Sequence, residues 1–443
     1  MREQTHVAVI GGGCAGLAAV AALAEKGIAV TLFDASPQLG GRARGVNWKG
    51  QRLDNGQHIL LGAYSETLRL LSLASVNIHA AILRLPLQLS VRDQFGKNQF
   101  NLTAFGKLPA PLHILAGLLN AKGLSWQERY AAIRLMAWLR INNFKLNKDI
   151  PLSQLFADKK QPARLVTLLW EPLCLAALNT PLKTASAQVF LNVLRDSFAR
   201  TKSDSDMLLP RCDLSTLIAE PLSRYIEVKG GVIRHASVTD IVASNDGFDV
   251  LADNNSNAHF SHVVLAVSPF RLSAITSQLP TLKAATDMAE QLSYQPIYTV
   301  YLQYPEHIKL DLPMTGLTGG LSQWVFDRGQ LCNQHGLLAV VISAEGPHQK
   351  LTQEALAIEV AKELSAAFPQ LPQALWHKVI AEKRATFACE PNLARPAQHT
   401  AIKNLYLAGD YTAGDYPATI EGAVRSGVQC ANAIIHQSES ELL

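Results

Sequence analysis

The chain is short of cysteine, of charge, of long apolar runs and of repeats. Six cysteines (Cys14, Cys174, Cys212, Cys332, Cys389 and Cys430) are scattered over 443 residues with no C-x-x-C pair. That spacing excludes a disulfide framework and offers no metal-ligand pattern, so no metal is expected. It fits a reducing, cytoplasmic setting. Charged residues make up only 17%, and the formal net charge of +4 is modest. Nothing there signals nucleic acid, and none is expected as a partner. No uninterrupted apolar stretch reaches the ~18 residues of a spanning helix. A strand pattern begins within seven residues of Met1, so no signal peptide is expected. What is present is a 48% hydrophobic chain, too long for one simple core, and two interleaved domains are expected.

The richest local signal is VAVIGGGCAGLAAVAAL at 7–23. Val7–Ile10 is β-branched and apolar and reads as a strand; Ala15–Leu23 reads as a helix. Gly11-x-Gly13-x-x-Gly16 lies between them. This order lets backbone N–H groups and a helix N-terminus approach a pyrophosphate. A second strand, 28–33, ends at Asp34, 18 positions after Gly16, where an acid can accept hydrogen bonds from a ribose. The alternative is an ordinary βαβ turn with a capping Asp. Gly40-Gly41-Arg42 and Arg44 follow, suited to phosphate or to a solvated basic loop.

Farther on, 65 to about 200 reads as mostly helical, with strand near 85–103. Ser125-Trp126-Gln127-Glu128 is a capping-box pattern, and Trp126, Tyr130, Ile133, Ala137 and Ile141 recur at helical spacing. Leu214–Val228 reads as a helix and 263–267 as a buried strand. Near the end, Leu405–Leu407 with Ala408-Gly409-Asp410 reads as a strand and turn, and Pro417–Ala423 opens a helix to about 436. Nucleotide-type segments thus lie at 1–64, 206–272 and 396–443. The inserts 65–205 and 273–395 are expected to form a substrate domain.

GGGCAG at 11–16, the acid and GGR at 34–42, KGGVI at 229–233, VVLA at 263–266, and AGD with P-x-x-I-E-G-A at 408–423 together resemble the flavin-dependent amine oxidase and phytoene desaturase superfamily. LDNGQHILLGAY (53–64), QWVFDRG (323–329) and LAGDYTAGDYPATIEGAVRSG (407–427) are similar, within it, to the squalene-associated desaturases of bacterial hopanoid gene clusters. Asp34 stands where the superfamily more often has Glu, and Tyr411 where it often has Trp. The resemblance implies an α/β fold: a Rossmann-like FAD-binding domain interrupted by a mixed α+β substrate domain. It implies FAD; non-covalent binding is the default expectation, which the sequence itself does not decide. Gly11, Gly13, Cys14, Ala15 and Gly16 would take the pyrophosphate and Asp34 the adenosine ribose. Gly41, Arg42 and Arg44 would flank phosphates and flavin, Gly409 and Asp410 the ribityl–phosphate region, and the Thr419 and Ile420 amides the flavin pyrimidine. Val238 joins this cofactor-binding set.

The activity implied is reductive removal of the allylic hydroxyl of hydroxysqualene, a linear C30 isoprenoid, giving squalene and water. Carotenoid-type desaturation, amine oxidation and a lipid carrier without turnover are the alternatives. With no second G-x-G-x-x-G, electrons are expected from an external donor. Asp54, His58 and Tyr411 are the catalytic candidates, with Tyr416 and Glu421 beside them. The choice of general acid stays open, since a turn acid, a core histidine and wall tyrosines explain the same residues. Such a substrate resides in bilayers, so peripheral contact with membrane lipid is also expected. Residues 94–148 hold eight basic side chains and one acid, Glu128. The alternative is that these helices cover the substrate domain with their charges in water.

Overall fold

A computed structural model describes residues 5–253 and 257–442. Residues 1–4 and 443 of the expected nucleotide segments lie outside them, as do 254–256. The strands His6–Ile10, Ala29–Asp34, Val232–His235, His262–Leu265 and Leu405–Leu407 form one parallel sheet. In chain order their arrangement is 3-2-1-4-5, the doubly wound pattern. Register is level: Ile10 pairs with both Phe33 and Leu265, and Leu265 with Leu407. The loops that leave these strands therefore emerge along one edge, where open α/β sheets bind ligands.

The Ala-rich helix Cys14–Glu25 buries every residue but Glu25, because it is covered on both sides. The sheet lies beneath it and the helix Ile420–Leu442 above, brought so close that a Cβ on Gly427 would overlap the Ala15 carbonyl. The expected helix 214–228 opens instead with a wide π turn, Ser215–Ala219, before the α-helix Glu220–Val228. Pro221 explains it: proline has no N–H to give and crowds the carbonyl four residues back.

Both inserts contribute to one seven-stranded sheet. The hairpin Gln88–Asp93/Asn98–Thr103 from the first insert joins Met314–Thr318 of the second in parallel. Alternation then divides the sheet's two faces. Val300, Val325, Val340 and Ile342 pack under the helix Gln353–Ala367. Ile297, Trp324, Phe326 and Val341 point the other way, into a cavity. The helix Ala187–Phe198 closes that cavity with Phe190, Val193, Leu194 and Ser197, one stripe at helical spacing.

Glu421 is fully buried and joins distant elements. Its carboxylate accepts from Thr67 Oγ1 at 2.7 Å, from the Glu66 and Thr67 backbone N–H groups, and from Arg425 at 2.7 Å. It thus caps the helix Ser65–Leu73 from the C-terminal helix. Glu421→Ala would leave these donors unpaired and is expected to cost about 3 kcal/mol of stability. Urea denaturation checks this, and an unchanged midpoint would contradict it.

Candidate active site

The carboxyl edge of the parallel sheet opens into a cavity of about 860 Å³. The loop after the first strand walls one end. Gly11 has φ 110°, and a side chain there would strike the Ala266 carbonyl at 2.5 Å. A Cβ on Gly16 would overlap the Gly11 carbonyl. Gly13 differs: no protein atom lies within 4 Å of where its Cβ would stand. The outer glycines serve the turn and the helix packing, while the middle one leaves open space toward the cavity. Cys14 and Ala15 line the same wall, and burial pushes the Cys14 thiol up to about 11.

The second glycine pair meets the first. Gly40 N–H donates to the Gly12 carbonyl at 2.8 Å, and Gly41, with φ 60°, sits against Gly13. Arg42 donates to Asp410 at 2.7 Å and to the Ala385 carbonyl at 2.6 Å, tying this loop to the one after the last strand. Arg44 lines the cavity without a side-chain partner among the described residues. Asp34 accepts from Gly12 N at 2.5 Å and from Ser36 N at 2.7 Å, and each oxygen keeps a lone pair for a ribose hydroxyl. Val238 lines the cavity at the start of the strand Val238–Ala243. Gly409 lies under the Tyr411 ring. Thr419 Oγ1 accepts from Gly422 N at 3.0 Å and caps the last helix; Thr419 and Ile420 line the cavity together.

The catalytic candidates separate. Asp54 is 3% exposed and stands behind the cavity wall, outside the lining itself. Its Oδ1 accepts from Leu214 N at 2.8 Å and its Oδ2 from Arg328 at 3.1 Å. Arg328, equally buried, also donates to Gln57 at 2.6 Å and to Gln334 at 2.5 Å. Leu214 N–H holds one oxygen and Arg328 the other, so Asp54 fastens the wall segment 55–58 from outside the lining. Glu421 also lies outside the lining, with each of its oxygens accepting twice.

His58 does line the cavity, with Nδ1 2.5 Å from the Gly56 carbonyl. A carbonyl only accepts, so Nδ1 carries the proton and Nε2 is bare in the neutral ring. Burial lowers the His58 pKa, outweighing Asp54 and the Gly56 carbonyl, and the ring is neutral at pH 7. Tyr416 lines the cavity with its hydroxyl given to Asp196 at 2.9 Å, and burial pushes its phenol up to about 12. Tyr411 is 2% exposed, lines the cavity, and has a hydroxyl with no partner among the described residues. Burial, with Asp410 nearby, holds its phenol far above the usual range, so it keeps its proton.

A family model for flavin containing amine oxidoreductase matches residues 14–435. The chain belongs to this family. It is an FAD-dependent oxidoreductase. Among similar proteins, the hydroxysqualene dehydroxylase of Sinorhizobium fredii is 28% identical, over 98% of this chain and 99% of that one. A 15-cis-phytoene desaturase of Solanum lycopersicum is 26% identical, over 99% and 79%. The crystal structure of an oxidoreductase from Methanosarcina mazei shares the fold, with TM-score 0.74 at 17% identity, over 97% and 100%.

The residues present fit the family's FAD: space beside Gly13, a free guanidinium at Arg44, and a helix start at Thr419–Ile420 that favours an anion. Two cations escaped the sequence reading. Arg328 lies in the QWVFDRG block, but its partner Asp54 is 274 positions away. Arg395 donates to the carbonyls of Tyr416, Gly414 and Asp410 and shapes the loop 410–416, with no local motif to announce it.

The glycine geometry predicts opposite outcomes for two variants. Gly13→Leu fills cavity space only, so it should fold normally and lose FAD affinity by about a hundredfold, roughly two charged hydrogen bonds. Gly16→Leu collides with backbone and should not fold. Flavin absorbance and thermal melts distinguish them; full flavin occupancy in Gly13→Leu contradicts the assignment.

Proposed function

We propose that this enzyme removes the hydroxyl of hydroxysqualene reductively, yielding squalene and water for squalene and hopanoid synthesis, with electrons from an external donor. The observation that carries this reading is the cavity wall away from the glycine loops. It is built from Leu87, Leu173, Phe190, Leu194, Trp324 and Phe326, among others, and it suits a linear hydrocarbon. The likeness to hydroxysqualene dehydroxylases over nearly the whole chain supports it.

Reduced FAD, when bound, supplies the hydride. The protein orients the chain, keeps water from an allylic cation, and delivers a proton to the departing hydroxyl. We assign that proton to Tyr411, which lines the cavity and whose hydroxyl has no partner among the described residues. Neutral His58 has no proton on Nε2 to give. The Tyr416 hydroxyl is already committed to Asp196, itself paired with Arg195 at 2.8 Å. That pairing leaves the Asp196 carboxylate unavailable to an ammonium substrate. Carotenoid-type desaturation is the second reading, favoured by the phytoene desaturase likeness.

The test is anaerobic. Reduced holoenzyme mixed with hydroxysqualene should regain oxidised flavin absorbance and form squalene in equal amounts. In deuterated buffer, one deuterium should appear at the former carbinol carbon. Tyr411→Phe should keep its FAD and slow the step by about a hundredfold, as for loss of a general acid. Reduction of the oxidised enzyme by phytoene or an amine, with no reaction of the reduced enzyme with hydroxysqualene, would overturn the proposal.

A further inference from the structure

The helix Trp126–Ile141 is apolar on two opposite faces. Its inner face buries Ala131, Ala132, Leu135 and Leu139. At 3.6 residues per turn, Trp126, Tyr130, Ala137 and Ile141 form a stripe on the far side. That stripe is in the open: Trp126 is 71% exposed, Tyr130 67% and Ile141 80%. The preceding helix, Leu112–Asn120, repeats the pattern, with His113, Ile114, Gly117 and Leu118 inward and Leu112 and Leu119 exposed. Arg129 joins the two stripes. It donates to the Leu119 and Ala121 carbonyls at 2.7 Å and stacks on the Trp126 ring at 4.7 Å. Water disfavours such a surface, and a surface helix with charge on its outer face is the ordinary solution.

The charge that the segment 94–148 itself leaves exposed has one sign. Lys107, Lys122, Arg140, Lys145 and Lys148 are exposed and have no side-chain partner among the described residues. The one acid between 94 and 148, Glu128, is buried, caps its own helix through Ser125 and pairs with Arg164 at 3.1 Å. The inner side of the first of these helices adjoins the cavity wall. Leu87 and Met207 line the cavity. Their chain neighbours Pro86 and Asp206 line a smaller hollow of about 240 Å³, whose other side is His113 of the first helix. Ala104, also in that hollow, donates its N–H to the Leu87 carbonyl at 2.8 Å.

We propose that the outward faces of Leu112–Asn120 and Trp126–Ile141 dock on an anionic lipid bilayer, with the aromatic and aliphatic side chains in the interface and the lysines and arginines at the headgroups. The combination of an aromatic apolar stripe with unpaired cations, and no free acid within 94–148, selects this occupant over a neutral apolar partner. The biological sense of the docking rests on the hydrocarbon reading above, because a C30 substrate is collected from a bilayer; vesicle binding itself does not depend on it. No described helix is long and apolar enough to cross a membrane, which leaves surface docking as the mode.

The holoenzyme is sedimented, without substrate, with vesicles of phosphatidylcholine alone or mixed with phosphatidylserine. Binding should require phosphatidylserine and weaken as salt is raised. Lys107→Gln/Lys122→Gln/Arg140→Gln should lower affinity on the order of a hundredfold. Trp126→Ser/Tyr130→Ser/Ile141→Ser should lower it in low salt as well, with FAD content and melting temperature unchanged in both. Arg129 is left alone because it holds the two helices together. Equal binding by wild type and both variants, or no binding to either vesicle, overturns the proposal. So does light scattering that shows a dimer broken by the serine variant, since a second copy would then cover the stripe. Turnover with detergent-dispersed hydroxysqualene separates the two claims. Vesicle binding without turnover sinks the proposed reaction and keeps the docking face; turnover without vesicle binding does the reverse.

Discussion

The closeness of backbone to backbone at Gly16 and Gly427 governs the nucleotide half of this molecule. At Gly16 the first helix lies against the turn that feeds it, and at Gly427 the last helix lies against the first. Neither approach tolerates a Cβ. With both in place, the start of the last helix stands beside the first glycine loop, although more than 400 residues separate them in the chain. The level register of the parallel strands does the rest, bringing the loops after Ile10, Asp34, Leu265 and Leu407 to one edge. Arg42 and Asp410 then close the ring by an ion pair between two of those loops.

The substrate half obeys a different constraint. Its sheet must be apolar on both faces, one for its own core and one for the cavity, and period-two alternation supplies both at once. The ion pair that steadies the wall is kept behind it. Arg328, Asp54 and Gln57 form a buried network whose charges never reach the apolar space. Such a pair contributes little net stability, yet it is costly to break from one side, which suits a part that must hold its shape. Asp34, Arg42, Arg44 and Asp410 line the cavity near the glycine loops, and Asp196, Arg271 and Glu382 line it as well.

What could be read from the chain in advance follows from distance along it. The loop 11–16, the acid at 34, the second glycine pair and the 408–423 segment are local patterns with local physics, and the structure gathers them around one cavity. The surroundings of Asp54 were not legible because they are set by Arg328 from the middle of the second insert. Glu421 looked like a candidate acid until the helix it caps was in view. The Trp126–Ile141 stripe was visible as a period, but a period tells which residues share a face and not whether that face looks inward. The inner stripe of the same helix, Ala131 to Leu139, is made of smaller and plainer side chains and is the one that packs.

The central claim is that one cavity holds the flavin and a long hydrocarbon side by side. Titrating oxidised holoenzyme with squalene, which cannot be reduced further there, tests it directly. Squalene should shift the flavin absorbance bands and saturate at one molecule per flavin. A spectrum unmoved by squalene but shifted by a short aliphatic amine would contradict the account.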